Sequence, residues 1–499
     1  MNNKQELSGM TEPHLKRNLG LIRTTMLGVG GSLSAANFVI IGEAAGMAGY
    51  AIIPIVIVCG IISLLTMFSY AELGTAIPLA GGEYTFSKVA YGGFTSFLTG
   101  WFEWLSNMFY TALSAIGFAY VVSYLFPQIN IPLTAVVVVA VFTIINLMGT
   151  KETATAETII TLMVLAILGI FVVGGWSFMQ GAQPEQTTSP IGLLGIFAAT
   201  AYLFELYLGA EAVAAAQAEV KNPGKNIPRA IVLSAVILMA LYTSVVVVAV
   251  GIAPPEVLRH QSSPIAYVAE QAMGPAGAIL VTIGLAITGL AATNEAIMAQ
   301  SRVLYAMGRD GYLPRGLCKI HKRYCTPHVA IIVGAIFTAI FAATGLVNFV
   351  VYAVNLGFII GFCIVNLAVI KLRKIAPHLK RPFKTPVYPL TPIAGIAASI
   401  FLILFIEPSV LILGFELIIV ALLIYYIRMV GSQRIRIAFG GISLGLGAFI
   451  CFTAYLLASS IIGLHGVSQE FVILACCVLI FVGAIQILAG ILNLLASDR

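Results

Sequence analysis

Four glutamates sit where acids are rare, inside runs of apolar residues: Glu103, Glu205, Glu211 and Glu295. Glu103 heads a set with Asn107 and Thr111 at i, i+4 and i+8, which on a helix is one polar stripe. Glu295 follows Asn294, and Glu205 and Glu211 flank Leu206-Tyr207-Leu208-Gly209-Ala210. No Lys or Arg lies in the central part of these segments to act as a fixed partner. A carboxylate away from water must be protonated, pair with a fixed cation, or pair with a cation that comes and goes. The chemistry on offer is reversible binding of a proton or an ammonium. Enzymatic chemistry is not: there is no HExxH motif and no Cys/His pair inside an apolar segment. The seven cysteines form no CxxC pair and read as small hydrophobes. The six histidines lie mostly in loops or at segment ends without metal-ligand spacing, so neither a metal nor a cofactor is expected.

The elements that position these residues are membrane spans. Hydrophobic residues make up 60% of the 499-residue chain and charged residues 9%, against about 25% charged in a soluble domain. No charged residue occurs from Trp104 to Thr150 or from Val329 to Ile370. Each run holds two spans of about 20 residues, broken at Phe126–Pro132 and near Gly345–Asn348. Barrel alternation is absent, which leaves an all-α polytopic membrane protein. Apolar windows fall near 21–46, 51–77, 95–126, 132–149, 155–179, 190–217, 228–253, 275–306, 328–346, 348–370, 389–406, 409–428, 437–463 and 469–495, about 14 spans. An even count puts both termini on one side. With that side cytoplasmic, one of 26 Lys and Arg residues, Arg259, falls in an outside loop. The net charge of +6 then belongs to loops facing anionic lipid and is no sign of nucleic-acid binding. The polar start of the chain carries no apolar core of a cleavable signal.

Two spans carry the means of their own interruption. The first contains GGSLSAAN (Gly30–Asn37), and the sixth places Leu208-Gly209-Ala210 in mid-membrane. Small residues also serve close packing of membrane helices. Their recurrence five spans apart favours a binding site, because discontinuous helices at matching places in two halves mark transporter sites.

Four ordered motifs then resemble the amino acid–polyamine–organocation (APC) permeases over at least the first twelve spans. They are YAELGTAIPLAGGEY…GW (Tyr70–Trp101), AEVKNPGKNIPRAI (Ala218–Ile231), SRVLYAMGRDGYLP (Ser301–Pro314) and TPHVAI (Thr326–Ile331). The resemblance implies a LeuT-like fold of two inverted five-helix repeats working by alternating access. It divides the chain into a cytoplasmic tail (1–20), a first repeat (21–180), a second repeat (190–372), spans 11–12 (389–430) and two extra spans (437–499). It aligns Ser34-Ala35-Ala36-Asn37-Phe38 with the family's G-x-G-I-F segment, so both glycines are replaced and Asn37 adds a polar group. It gives Glu211 a gate or proton-linked role, and places Glu205 where many relatives have an aromatic closing over substrate. Glu295 aligns with a position that contacts substrate in some relatives. Val164 aligns with the fifth-span lysine of sodium-independent members. Arg302, Arg309 and Asp310 look like the family's cytoplasmic latch, and Glu43, Glu72 and Glu83, near span ends, read as structural.

An opened helix presents N–H groups to an anion and carbonyls to an ammonium. The expected substrate contacts are Ser32, Leu33, Ser34, Ala35, Ala36, Asn37, Asn107, Thr111, Phe204, Glu205, Tyr207, Leu208, Gly209 and Glu295, with Glu103 and Glu211 as gate or proton-coupling groups. A charge at mid-membrane costs about 2.5–3.5 kcal/mol on insertion scales. Several converging acids without a fixed cation therefore favour a basic amino acid, diamine or polyamine as cargo, with a proton or counter-substrate as second partner. A neutral amino acid carried with protons taken up by the same glutamates is the alternative. A channel fits two broken helices less well, and a permease-fold sensor would carry a longer soluble extension. The expected location is the plasma membrane.

Overall fold

The computed structural model describes residues 17–77, 82–149, 154–179, 192–217, 219–429, 442–451, 453–454, 479–480, 482–484 and 486–488. Among them the regular structure is helical, with one isolated parallel bridge between Leu19 and Val220. The first span is two helices, α1 (Leu21–Gly31) and α2 (Ala35–Ala48). Then come α3 (Ile52–Ala76), the short α4 (Gly82–Ala90), α5 (Gly93–Ser123), α6 (Ile131–Met148) and α7 (Ala154–Met179). The sixth span is α8 (Leu193–Leu203), a 3-10 turn (Phe204–Tyr207) and the single-turn α9 (Ala212–Ala215). After it follow α10 (Pro223–Ile252), α11 (Pro255–Arg259), α12 (Pro264–Arg309), α13 (His328–Ala342), α14 (Val347–Ile375), α15 (Leu390–Ile403) and α16 (Pro408–Met429). Within α12, Gly274 at φ 71° precedes Pro275 and turns a short outer helix into the eighth span.

Nine helical stretches among the described residues are long and apolar enough to cross a membrane, and three shorter ones, His328–Ala342, Leu390–Ile403 and Ile442–Cys451, are also apolar. The first twelve expected spans each coincide with a helix or helix pair, whereas 437–463 and 469–495 lie largely outside the described residues. Their apolar side faces outward: Leu133, Val137, Val141, Ile144 and Met148 form an exposed stripe along α6, the pattern of a helix solvated by lipid. The centre is α5, packed chiefly against α12 and α14. Glycines set the closest approaches. Gly117 of α5 lies directly against the backbone of Ala36, and Gly289 of α12 against the Ala35 side chain.

The acids near span ends are paired. Arg373 grips Glu72 through two hydrogen bonds (2.8 and 2.6 Å), joined by Arg381 (3.3 Å) and the Thr385 amide (2.7 Å). The loop after α14 is thereby held against the end of α3. Arg259 donates to Glu43 (3.0 Å), and the Tyr70 hydroxyl donates to Glu83. Asp310 accepts from Lys88 and Tyr84, both at 2.7 Å, with Arg309 at 3.4 Å. The latch expected at Arg302, Arg309 and Asp310 differs in its principal cation, which is Lys88. The Arg302 guanidinium instead donates to the Met298 sulfur (3.2 Å). Of the cysteines, Cys59 is buried as a small hydrophobe, while Cys325 is exposed and Cys318 half-buried in the loop before α13. Cys476 and Cys477 lie outside the described residues.

Candidate substrate site

The first span opens where its small polar residues concentrate. α1 closes with tight turns, Ser32 N–H to Val29 O (3.2 Å) and Leu33 N–H to Gly30 O (3.0 Å). Ser34, extended at φ −133° and ψ 154°, caps α2 by accepting from the Ala36 amide (3.3 Å). A serine cap of this kind satisfies one orphan donor of a helix start. The sixth span opens at Leu208, extended at ψ 146°, and Gly209, at φ 103°. Both Glu211 carboxylate oxygens accept from the Gly209 amide (2.9 Å). The two openings meet: Gly209 lies directly on the Gly31 carbonyl, with no room for a side chain.

The expected site residues differ in their burial. Ser32, Ser34, Asn37, Thr111, Phe204, Glu205, Tyr207 and Leu208 are buried, as are Leu33, Ala35 and Ala36. Gly209, Glu211, Glu103, Asn107 and Glu295 are half-buried. A Cβ on Gly31 would sit 3.6 Å from the Glu295 carboxylate, which brings α12 to the break. Asn107 and Thr111 donate back to Glu103 O and Asn107 O, both at 2.7 Å, so their donors serve α5 itself. The Glu103 carboxylate accepts from the Tyr84 amide (2.9 Å) and holds the start of α4. Tyr207 donates to Val56 O (2.8 Å) and so packs against α3.

Glu205 is different. It is 0% exposed, and neither carboxylate oxygen has a hydrogen-bond partner among the described residues. The Asn37 Oδ1 atom, on a residue 1% exposed, also lacks one.

Two further residues shape the break. The Tyr110 hydroxyl donates to Gly31 O (3.1 Å) and the Tyr242 hydroxyl to Ser32 O (2.7 Å). Two carbonyls that sequence reasoning leaves open for an ammonium are thus already engaged. Tyr110 was findable as the i+7 continuation of the Glu103 stripe. Tyr242 was signalled only as a phenol in the middle of an apolar span. Val164 is buried, and one turn earlier Thr161 directs its hydroxyl toward Gly30. No group of three or more His, Cys, Asp and Glu suited to a metal occurs among the described residues.

Apolar helices facing outward, with two interrupted helices crossing among buried acids, define a multi-pass membrane transporter. The sequence model of the family described as "Amino acid permease" matches residues 19–430, so the chain belongs to that family, within the APC superfamily. It is similar to the branched-chain amino acid permease BcaP of Bacillus subtilis (strain 168), 28% identical and covering 83% of this chain and 94% of that one. It is also similar to the methylthioribose transporter of the same organism, 32% identical over 83% and 93% of the two chains. A crystal structure of a mutant manganese transporter from Eremococcus coleocola shares the fold at a TM-score of 0.53, covering 99% of both chains at 13% identity. The chain is a transporter and not an enzyme.

Proposed function

We propose that this permease carries a cationic amino acid, a diamine or a polyamine by alternating access, in exchange or coupled to protons. The architecture behind the reading is two inverted repeats, 21–180 and 190–372, inside a chain of fourteen spans with both termini in the cytoplasm of a plasma membrane. Its site is the crossing of the two breaks. The start of α2 receives the carboxylate of an amino acid. Asn107, Thr111, Phe204, Tyr207, Leu208 and Glu295 complete the wall. The observation that carries the substrate class is the wholly buried Glu205 carboxylate without a hydrogen-bond partner. A mobile ammonium supplies the donors that it lacks. The half-buried Glu103 and Glu211 are the groups assigned to gating or proton uptake.

The test is ligand binding to the purified full chain in lipid nanodiscs, using 1,4-diaminobutane, arginine, lysine and alanine at two pH values. Glu205→Gln is expected to weaken diaminobutane and arginine by at least about tenfold, since stranding a buried charge partner costs several kcal/mol. Alanine competing well, together with unchanged arginine and diaminobutane affinity in Glu205→Gln, would overturn the reading.

A second reading has support in the name of one relative, a branched-chain permease, whose cargo bears no side-chain charge. In it Glu205, Glu103 and Glu211 take up protons while a neutral amino acid binds. Proteoliposome uptake of a neutral amino acid driven by a proton gradient, with no diamine binding, selects that reading.

A further inference from the structure

Tyr242 of α10 is fully buried and held between two rings, Phe38 at 5.8 Å and Tyr207 at 5.9 Å between centroids. Its hydroxyl lies 2.7 Å from Ser32 O and 2.7 Å from the Asn37 amide, and the same amide nitrogen lies 2.9 Å from Ser32 O. The roles within this triangle are forced. A backbone carbonyl can only accept, so the Asn37 atom facing it is the nitrogen. The Tyr242 proton is spent on the same carbonyl, so the phenol oxygen accepts from Asn37. Both amide hydrogens are then occupied, and Oδ1 is left over as a buried acceptor without a partner among the described residues. Glu205, whose two carboxylate oxygens also lack a partner among the described residues, stands on the same 3-10 turn as Tyr207, the ring packed on Tyr242.

We propose that Tyr242 is a specificity-determining positioning residue: by holding the Asn37 amide through its nitrogen, it leaves the amide oxygen as a buried acceptor at the crossing of the two breaks. Together with the carboxylate of Glu205, this makes a subsite that only accepts hydrogen bonds. Such a subsite welcomes the ammonium end of a solute and rejects a group that must itself find a donor, because the mismatch leaves buried acceptors facing each other. The inference rests on the crossing being the substrate site, and it adds the residue that sets the polarity of that site.

The experiment compares the affinities of 1,4-diaminobutane and alanine for the full chain and three variants, with monodispersity and far-UV circular dichroism as controls for folding. Tyr242→Phe removes one of the two partners of the amide nitrogen and is expected to lower the diaminobutane-to-alanine affinity ratio roughly fivefold. Asn37→Leu, which deletes the acceptor at similar volume, lowers the ratio at least as far. The double variant lowers it no further than Asn37→Leu alone, since Tyr242 acts through Asn37. A purely structural role would weaken both ligands alike and leave the ratio fixed. An unchanged ratio in well-folded variants overturns the inference while leaving the functional reading intact. If Tyr242→Phe does not fold, an unchanged ratio in Asn37→Leu overturns it alone. A parent chain that binds neither ligand overturns the functional reading, and the inference with it.

Discussion

Two buried glutamates show how far apart identical side chains can be. Glu72 is 1% exposed and surrounded by two guanidinium groups and an amide, whereas Glu205 is 0% exposed and meets no donor among the described residues. Removing one partner from a buried ion pair costs about 3–5 kcal/mol. Glu72→Gln is accordingly expected to lower the thermal midpoint of the purified protein, followed by intrinsic fluorescence in detergent. Glu205→Gln is expected to keep or raise that midpoint while losing amine binding, the exchange of stability for activity seen at strained functional positions. Sequence reasoning placed both acids in apolar segments and set them apart by distance from the span ends. It could not see the partners, because Arg373 is 301 residues from Glu72 and is delivered only by folding. The same holds for Lys88, which reaches Asp310 across 222 residues.

At the level of helices, the interruptions were legible and their internal wiring was not. Glycine and serine crowding marked the first break and the single Gly209 the second, since residues that cap or relax a helix are chemically recognisable. The tyrosines that engage Gly31 O and Ser32 O lie 79 and 210 residues away and carry no local signature of that task. The glycine of the second break makes a sharp prediction. Gly209 adopts φ 103° and faces the Gly31 carbonyl and the Ser32 amide. Gly209→Ala adds conformational strain of about 1–3 kcal/mol and drives a methyl into backbone that has no side chain to move aside. Proteoliposome uptake is expected to be abolished in Gly209→Ala and retained in Ala210→Gly, at matched expression.

The described residues of the candidate site differ in exposure. Glu103, Asn107, Glu211 and Glu295 are half-buried, while Phe204, Glu205 and Tyr242 are sealed. After the accessible Cys318 and Cys325 are replaced by serine, Asn107→Cys is expected to react with impermeant thiol reagents from the basic face, and Phe204→Cys to be protected from both faces. The basic end also carries a titration. Burial alone would raise the Asp310 carboxyl, but hydrogen bonds from Lys88 and Tyr84 and the charges of Lys88 and Arg309 hold it below its ordinary value. Its stabilisation is therefore complete above the unfolded carboxyl value of about 4 and is lost as pH falls through the lower folded value. Asp310→Asn is expected to melt earlier than the parent at neutral pH, with the difference closing in acid. One last feature bears on motion. The strand-like contact of Leu19 with Glu219 and Lys221 ties the chain before α1 to the chain after α9, and the Gly31–Gly209 crossing joins the same two pieces at their other ends. Fastened at hilt and tip, these half-helices are expected to move as a single blade.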